Sequence, residues 1–234
     1  METRIGSYLT VSWLLEQEPN QWHTLVALDS GKKTTEFVAT HAPSFHFLRF
    51  DDIEEPRSGK QLPTRLQIEQ GLDFAKGKDR LLVSCRAGQG RSVALAYVIG
   101  TQASGTPAAL RLLDPTRHRP NRRVVEIGSQ ILDAPDILDA FDAWRQSHSH
   151  VKLSDYYEEM EREYEALVAR GATDRICELC PNYARLRNLP DRYSKHTLRP
   201  NVLCQKSGRS SKATQSVSGA HKPITATPRS APRG

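Results

Sequence analysis

The sequence predicts an α/β domain with three layers, in which a central, mostly parallel sheet lies between helices. Short apolar runs at residues 23–28 and 80–84 are typical of buried strands, and the second is apolar almost throughout, as in a strand covered on both faces. Helical patterns at residues 63–76 and 92–101 lie on either side of this second run. Strands that alternate with helices along a chain favour a parallel sheet with helices packed on it.

The other elements are predicted from apolar runs and the turn residues that bound them. The first part of the chain predicts a strand at 7–13, a short helix at 14–18, a polar turn at 29–33 and a strand at 45–50. The side chains expected to face inward from this last strand are Phe45, Phe47 and Leu48. The later part predicts helices at 106–113, 121–132, 136–146 and 153–170, with a loop at 114–120.

The positive charge of the protein is concentrated at its carboxyl end. The 234 residues carry a formal net charge of +6. Residues 205–234 contain six basic residues and no acidic one, so the rest of the chain is neutral overall. Because this segment consists mainly of small, polar, proline and basic residues, we expect a disordered tail that can contact acidic partners loosely. Nucleic-acid binding is not indicated for the folded part.

The octapeptide Cys-Arg-Ala-Gly-Gln-Gly-Arg-Ser at residues 85–92 joins a predicted strand to a predicted helix. Backbone N–H groups of such a loop at a helix N-terminus can surround an anion, and the Arg91 guanidinium matches two phosphate oxygens. The expected phosphate-binding residues are Arg86, Ala87, Gly88, Gln89, Gly90 and Arg91. Positive charge around Cys85 favours its thiolate, which indicates attack of sulfur on a bound phosphate and a phosphocysteine intermediate.

The loop resembles the Cys-x-x-Gly-x-x-Arg-Ser/Thr signature of the protein tyrosine phosphatase superfamily. The resemblance to bacterial dual-specificity-like phosphatases extends over about residues 7–145 and includes the stretches 48–56 and 110–121. It implies a three-layer phosphatase fold in which Cys85 is the nucleophile, Arg91 binds phosphate and stabilises the transition state, and Ser92 assists departure of the sulfur. Two alternatives remain: an ordinary buried cysteine, and a rhodanese-like sulfurtransferase, whose Cys-Arg-x-Gly loop is usually shorter.

An acidic stretch with a proline follows the predicted strand at 45–50 and is expected to form a surface loop. Phosphatases of this superfamily place a general-acid aspartate here, about thirty residues before the cysteine. By that resemblance Asp52 is the acid, with Asp51 as the alternative one residue away. The acid is needed because an alkoxide or phenolate leaves more readily when it is protonated as the P–O bond breaks.

One residue departs from the family pattern. The family usually has a histidine directly before the cysteine, where it helps to hold the loop and favours the thiolate, and here that residue is Ser84. The substitution puts the rate in doubt more than the reaction. It also keeps open a different class of function, a phosphate-binding module without turnover.

The sequence divides into a phosphatase domain at 1–150, a helical extension at 151–204 and the basic tail at 205–234. The amphipathic helix at 153–170 is expected to dock on the domain. A structural zinc site is one interpretation of the extension, with the ligands Cys177, Cys180, His196 and Cys204. The alternative is free cysteines in a loose segment, because the spacing of the second pair is not a standard one.

The resulting expectation is a cysteine-dependent phosphatase that acts on phosphorylated proteins, on phosphotyrosine and also on phosphoserine or phosphothreonine. An inositol lipid and an RNA end are also compatible with the loop, but the resemblance to dual-specificity phosphatases favours protein phosphate. No cofactor is required for this chemistry. Few cysteines, a catalytic thiolate, no apolar run near the roughly 18 residues of a membrane span and no signal-peptide pattern together favour the cytoplasm.

Overall fold

The computed structural model describes residues 1–176, in which four parallel strands form one sheet between two layers of helices. The strands are β1 (Glu2–Gly6), β2 (His23–Leu28), β3 (Phe45–Arg49) and β4 (Arg80–Ser84). They lie in the order β1-β4-β2-β3, and every neighbouring pair is parallel. The predicted α/β class with a parallel central sheet is confirmed.

Within these residues the helices are α1 (Tyr8–Gln17), α2 (Phe37–His41), α3 (Arg65–Ala75), α4 (Arg91–Ser104), α5 (Thr106–Leu110), α6 (Arg122–Leu132), α7 (Asp136–Ser147) and α8 (Leu153–Ala169). Their bounds agree closely with the prediction for α3, α6, α7 and α8, and α4 extends three residues beyond its predicted end. The short helix α2 was not predicted. Five residues give too little periodic pattern to separate a helix from a turn.

The two central strands have apolar side chains on both faces, as their sequences predicted. One core, which the sheet shares with α3, α4 and α6, contains Leu25, Ala27, Leu81 and Val83. The opposite core, shared with α1 and α2, contains Val26, Leu28 and Leu82. Because successive side chains of a strand point to opposite faces, this division gives the three layers directly.

The predicted strand at 7–13 is wrong, because this segment is the first part of α1. Ser7 caps the helix, and its hydroxyl oxygen accepts a hydrogen bond from the Thr10 backbone N–H at 3.1 Å. Leu9 and Val11 are both buried, which mimics the alternation of a strand. Their burial has another cause, since α1 lies between the sheet and α8 and is covered on more than one side.

The first strand is instead β1, at the edge of the sheet beside β4. Its side chains alternate between exposed and half-buried until Gly6, so no apolar run marks it in the sequence. At the other edge, the prediction that Phe45 faces the core is wrong, because this side chain is 40% exposed. Leu48 is fully buried, as predicted. Edge strands have one side without a neighbouring strand, so hydrophobic pattern predicts their burial poorly.

Helix α8 packs against α1, as expected of a docking helix. Leu167 of α8 and the following Ala172 form a small apolar cluster with Leu9 and Trp13. None of the helices within residues 1–176 is long and apolar enough to cross a membrane. The predicted zinc ligands Cys177, Cys180, His196 and Cys204, like the basic tail, lie outside the described residues.

Candidate active site

The candidate site lies at the carboxyl edge of the sheet. Because all strands are parallel, the segments that leave β2, β3 and β4 emerge at this edge. These segments carry Asp29, Asp52 and Cys85 respectively. Open parallel sheets commonly bind ligands at this edge, outside the carboxyl ends of the strands.

The loop at residues 85–90 connects β4 to α4 and leaves its backbone donors unpaired. Within the described part of the chain, none of the N–H groups from Arg86 to Arg91 donates a hydrogen bond. Arg86 to Gln89 are half-buried, and Gly90 and Arg91 are buried. Six successive N–H groups without a partner in residues 1–176, at the positive end of a 14-residue helix, form a site suited to an anion.

Gly88 allows this loop to approach the start of α1. Its φ angle is +71°, which favours glycine, and a Cβ atom here would lie 2.6 Å from the Ser7 backbone nitrogen. Any side chain at position 88 would thus collide with backbone atoms that cannot move aside easily. The glycine of the motif is required by the local geometry of the loop.

Cys85 lies at the base of the loop, with only 1% of its surface exposed. Its Sγ is 3.1 Å from the Ser92 hydroxyl oxygen, which lies in the first turn of α4 and is fully buried. This hydroxyl is placed so that it can donate a hydrogen bond to the sulfur, the contact on which the role predicted for Ser92 depends. The structure thus brings Cys85 and Ser92 together.

The Arg91 side chain is buried and held from two directions. One terminal nitrogen donates to the Phe50 carbonyl oxygen at 2.7 Å, and the other lies 2.7 Å from a carboxylate oxygen of Asp29. The Nε group is buried and has no partner among residues 1–176. Burial by itself would lower the pKa of Arg91, but negative charge at Cys85 and at Asp29 raises it above its ordinary value.

Asp29 was not predicted to be a site residue, because the sequence placed it in a polar turn. The useful signal was its position directly after the buried strand β2, at the same edge of the sheet as the loop. Its carboxylate neutralises the buried guanidinium group of Arg91 and fixes the orientation of that group. Asp29 is therefore a positioning residue for Arg91.

The two neighbouring aspartates have different environments. Asp51 is buried and accepts hydrogen bonds from Ser30 at 2.6 Å, from the Gln61 N–H at 2.9 Å and from Lys60 at 3.1 Å. Burial opposes ionisation of Asp51, yet these bonds hold its pKa below the ordinary value. Asp51 thus anchors its own loop, and its carboxylate is fully engaged there.

Asp52, in contrast, lies against the loop at residues 85–90. A Cβ atom built on Gly90 would be 2.2 Å from a carboxylate oxygen of Asp52, so this carboxylate rests directly on the glycine. The other carboxylate oxygen accepts a hydrogen bond from the Asn121 side-chain amide at 2.8 Å. Asn121 was predicted only as the start of a helix, and here it also orients Asp52.

Residues 114–120 pass along the outer side of the loop. The Arg119 backbone N–H donates to the Gln89 carbonyl oxygen at 2.9 Å. The neighbouring His118 is mostly buried, and its Nδ1 accepts the Asp114 backbone N–H at 3.0 Å. Burial, together with the charge of Arg117, lowers the pKa of His118 to about 4.

The low pKa of His118 predicts a pH-dependent stability. The unfolded chain takes up a proton at His118 near pH 6.5, whereas the folded chain does so only near pH 4. Stability should therefore fall as the pH decreases through this window, by about 2 kcal/mol between pH 7 and pH 5. Urea unfolding at several pH values measures this, and His118→Gln should flatten the dependence. Equal slopes in both proteins would contradict the prediction.

Ser84 does not take over the loop-holding role of the usual histidine. Its hydroxyl is completely buried and has no hydrogen-bond partner within residues 1–176. Removing a buried, unpaired hydroxyl relieves a desolvation cost, so Ser84→Ala should leave stability unchanged or raise it by up to about 1 kcal/mol. Thermal unfolding measures this effect, with Ser92→Ala as the matched variant that removes a paired hydroxyl. A clear loss of stability in Ser84→Ala would show that its hydroxyl has a partner.

Comparison with known proteins gives matches among solved structures. PTPMT1 in complex with PI(5)P has a TM-score of 0.40 at 13% identity, covering 55% of this chain and 88% of that one. Cydia pomonella PTP-2 phosphatase has a TM-score of 0.41 at 17% identity, and the match covers 54% of this chain and 83% of that one. Human DUSP28 has a TM-score of 0.39 at 14% identity, and the match covers 61% of this chain and 94% of that one. No family model matches the sequence, and no curated protein matches it.

These solved structures are phosphatases of the protein tyrosine and dual-specificity superfamily, the group that the loop sequence resembles.

Proposed function

We propose that the protein hydrolyses phosphate monoesters through a phosphocysteine intermediate. The observation that supports this most strongly is the set of backbone N–H groups from Arg86 to Arg91, which have no partner within residues 1–176, with the Cys85 sulfur at its base. The Nε group of Arg91, also without a partner in this described part, adds a buried positive donor beside them. A dianionic phosphoryl group would satisfy these donors together and present its phosphorus atom to the sulfur.

In the first step the Cys85 thiolate attacks phosphorus, a P–S bond forms and the bond to the ester oxygen breaks. Asp52, in its protonated form, gives its proton to that departing oxygen. The loop donors and Arg91 stabilise the charge on the remaining phosphoryl oxygens as the geometry at phosphorus changes. The position of Asp52 on Gly90, at the rim of the loop, suits this role.

In the second step the Asp52 carboxylate takes a proton from a water molecule, which attacks phosphorus and releases inorganic phosphate. The P–S bond breaks, and sulfur leaves as a thiolate. The Ser92 hydroxyl, 3.1 Å from Sγ, donates a hydrogen bond to the sulfur as this charge develops. Each cycle thus restores the thiolate and the protonated acid, with water as the only co-reactant.

We assign phosphorylated protein side chains as substrates, with phosphotyrosine first and phosphoserine or phosphothreonine second. A phenolate is a better leaving group than an alkoxide, so an aryl ester depends less on complete proton transfer. A catalytic thiolate needs a reducing environment, which fits the predicted cytoplasmic location. No metal or other cofactor has a part in the proposed steps.

The test is the release of p-nitrophenol from p-nitrophenyl phosphate by the full chain, with a reductant and a metal chelator. Turnover that orthovanadate inhibits competitively is expected. Phosphate binding without turnover would instead favour a binding module, a candidate supported by the Ser84 hydroxyl, which has no hydrogen-bond partner among the described residues. Formation of thiocyanate from thiosulfate and cyanide would favour the sulfurtransferase.

A further inference from the structure

Helix α8 contacts the phosphate-binding loop directly, although it lies beyond the predicted phosphatase domain. The Gln89 side-chain amide donates a hydrogen bond to the Tyr156 backbone carbonyl oxygen at 2.8 Å. Gln89 was predicted to bind phosphate through its backbone N–H group. The structure shows that its side chain is turned to α8.

Gln89 stands between two glycines of the loop, Gly88 and Gly90. Ordering this segment is costly, because glycine loses more backbone entropy on ordering than any other residue. Two hydrogen bonds restrain Gln89, one from the Arg119 N–H to its carbonyl oxygen at 2.9 Å and one from its side chain to Tyr156. The contact with α8 thus restrains the Gln89 side chain, while the bond from Arg119 restrains its backbone.

Glu163 connects the same helix to both neighbours of the loop. Its carboxylate accepts a hydrogen bond from the Thr10 hydroxyl at 2.7 Å, in the first turn of α1, and forms an ion pair with Arg117. The start of α1 lies directly against Gly88, and Arg117 is two residues from Arg119, which bonds Gln89. Glu163 thereby holds α8 against the two segments that flank the loop.

The carboxyl end of α8 supplies the apolar part of the attachment. Leu167 is buried with Leu9 and Ala172, while the first turn of α8 reaches the loop through the hydrogen bond from Gln89 to Tyr156. A helix anchored at one end can hold its other end at a defined distance from the loop. A polar contact at the loop is also sensitive to small displacements, because hydrogen bonds weaken steeply with geometry.

We propose that Gln89 and Glu163 are positioning residues through which α8 holds the phosphate-binding loop in its anion-binding geometry. The inference deepens the proposed function and rests on it for its catalytic meaning. The expected effect on phosphate binding follows from geometry alone. A loop that shifts by a fraction of an ångström directs its N–H groups less well at the phosphate oxygens. Loss of α8 contacts should then weaken phosphate binding in a protein that remains folded.

The experiment is calorimetric titration of the full chain with inorganic phosphate, in parallel with circular dichroism of each variant. Gln89→Met keeps the length of the side chain and removes its donor, and Glu163→Ala removes the connection from outside the loop. Each should raise the dissociation constant for phosphate by about threefold to tenfold, as expected for the loss of one or two polar contacts. The matched control is Glu161→Ala on the same helix. The Glu161 side chain is exposed and has no partner within residues 1–176. The dissociation constant of this variant for phosphate should stay within twofold of the wild-type value.

The double variant provides a second measure. If both residues act through α8, the combined effect should be smaller than the product of the two single effects. A purely structural role would lower the folded fraction and leave the dissociation constant of the folded molecules unchanged, and that result in both single variants would overturn the inference. Wild-type protein that binds no phosphate would instead overturn the proposed function.

Discussion

Cys85→Ser should lower the rate of aryl phosphate hydrolysis by at least about 10⁴-fold, the scale of effect that follows removal of a catalytic nucleophile. A serine hydroxyl is far less ionised than a thiol and would need a general base. The group nearest to Sγ in hydrogen-bonding terms is the Ser92 hydroxyl, which is not a base. The initial rate of p-nitrophenol release, followed in the presence of a reductant, measures this loss.

The same variant should still bind inorganic phosphate at least as tightly as the wild type. The expected binding groups are the loop N–H groups and Arg91, which the substitution leaves in place, and it removes a negative charge beside a negative ligand. Gly31→Ala, at a position where a Cβ meets nothing within 4 Å, serves as the control and should retain activity. Hydrolysis by Cys85→Ser at the wild-type rate would exclude the phosphocysteine route.

The central part of the fold could be predicted because its hydrophobic signals are continuous. The strand at 80–84 is apolar on both faces and is followed by a glycine-containing loop and an apolar helix, so only one local structure satisfies the pattern. The outer elements were harder to predict. Leu9 and Val11 alternate with polar residues as in a strand, but they are buried because the helix that carries them is covered by other elements. Local pattern cannot report which neighbours will cover a segment.

The candidate site shows the same division between local and distant information. Cys85, Arg91 and Ser92 lie within one octapeptide, and the sequence therefore reveals them together. Asp29 and Asn121 come from segments far apart along the chain, and each uses an ordinary polar residue that occurs in most turns and caps. Only the parallel arrangement of the strands brings them to the edge where Arg91 and Asp52 lie.

The choice between Asp51 and Asp52 also required the fold. The sequence offers two adjacent carboxylates, and neighbouring side chains in an extended loop point in opposite directions. One points inward to Ser30 and Lys60, and the other points to Gly90. Which of them reaches the phosphate-binding loop depends on the register of that loop, which no local pattern determines.

Asp52→Asn should slow hydrolysis of p-nitrophenyl phosphate by about 10²-fold, within the range for loss of a general acid. The loss should be larger for phenyl phosphate and for phosphotyrosine, because their leaving groups are more basic and need the proton more. Asp51→Asn is the adjacent control. It removes buried hydrogen bonds and should lower stability, but the dependence of rate on the leaving group should stay that of the wild type.

Gly90→Ala tests the position of the same carboxylate without removing it. The new Cβ would lie 2.2 Å from an Asp52 oxygen, so the carboxylate has to move. We expect the leaving-group dependence to steepen in the same direction as in Asp52→Asn. Gly31→Ala, where a Cβ meets nothing within 4 Å, should behave as the wild type. If Gly90→Ala and Asp52→Asn both keep the wild-type dependence, the acid lies elsewhere, because proton donation by Asp52 requires its contact with the loop.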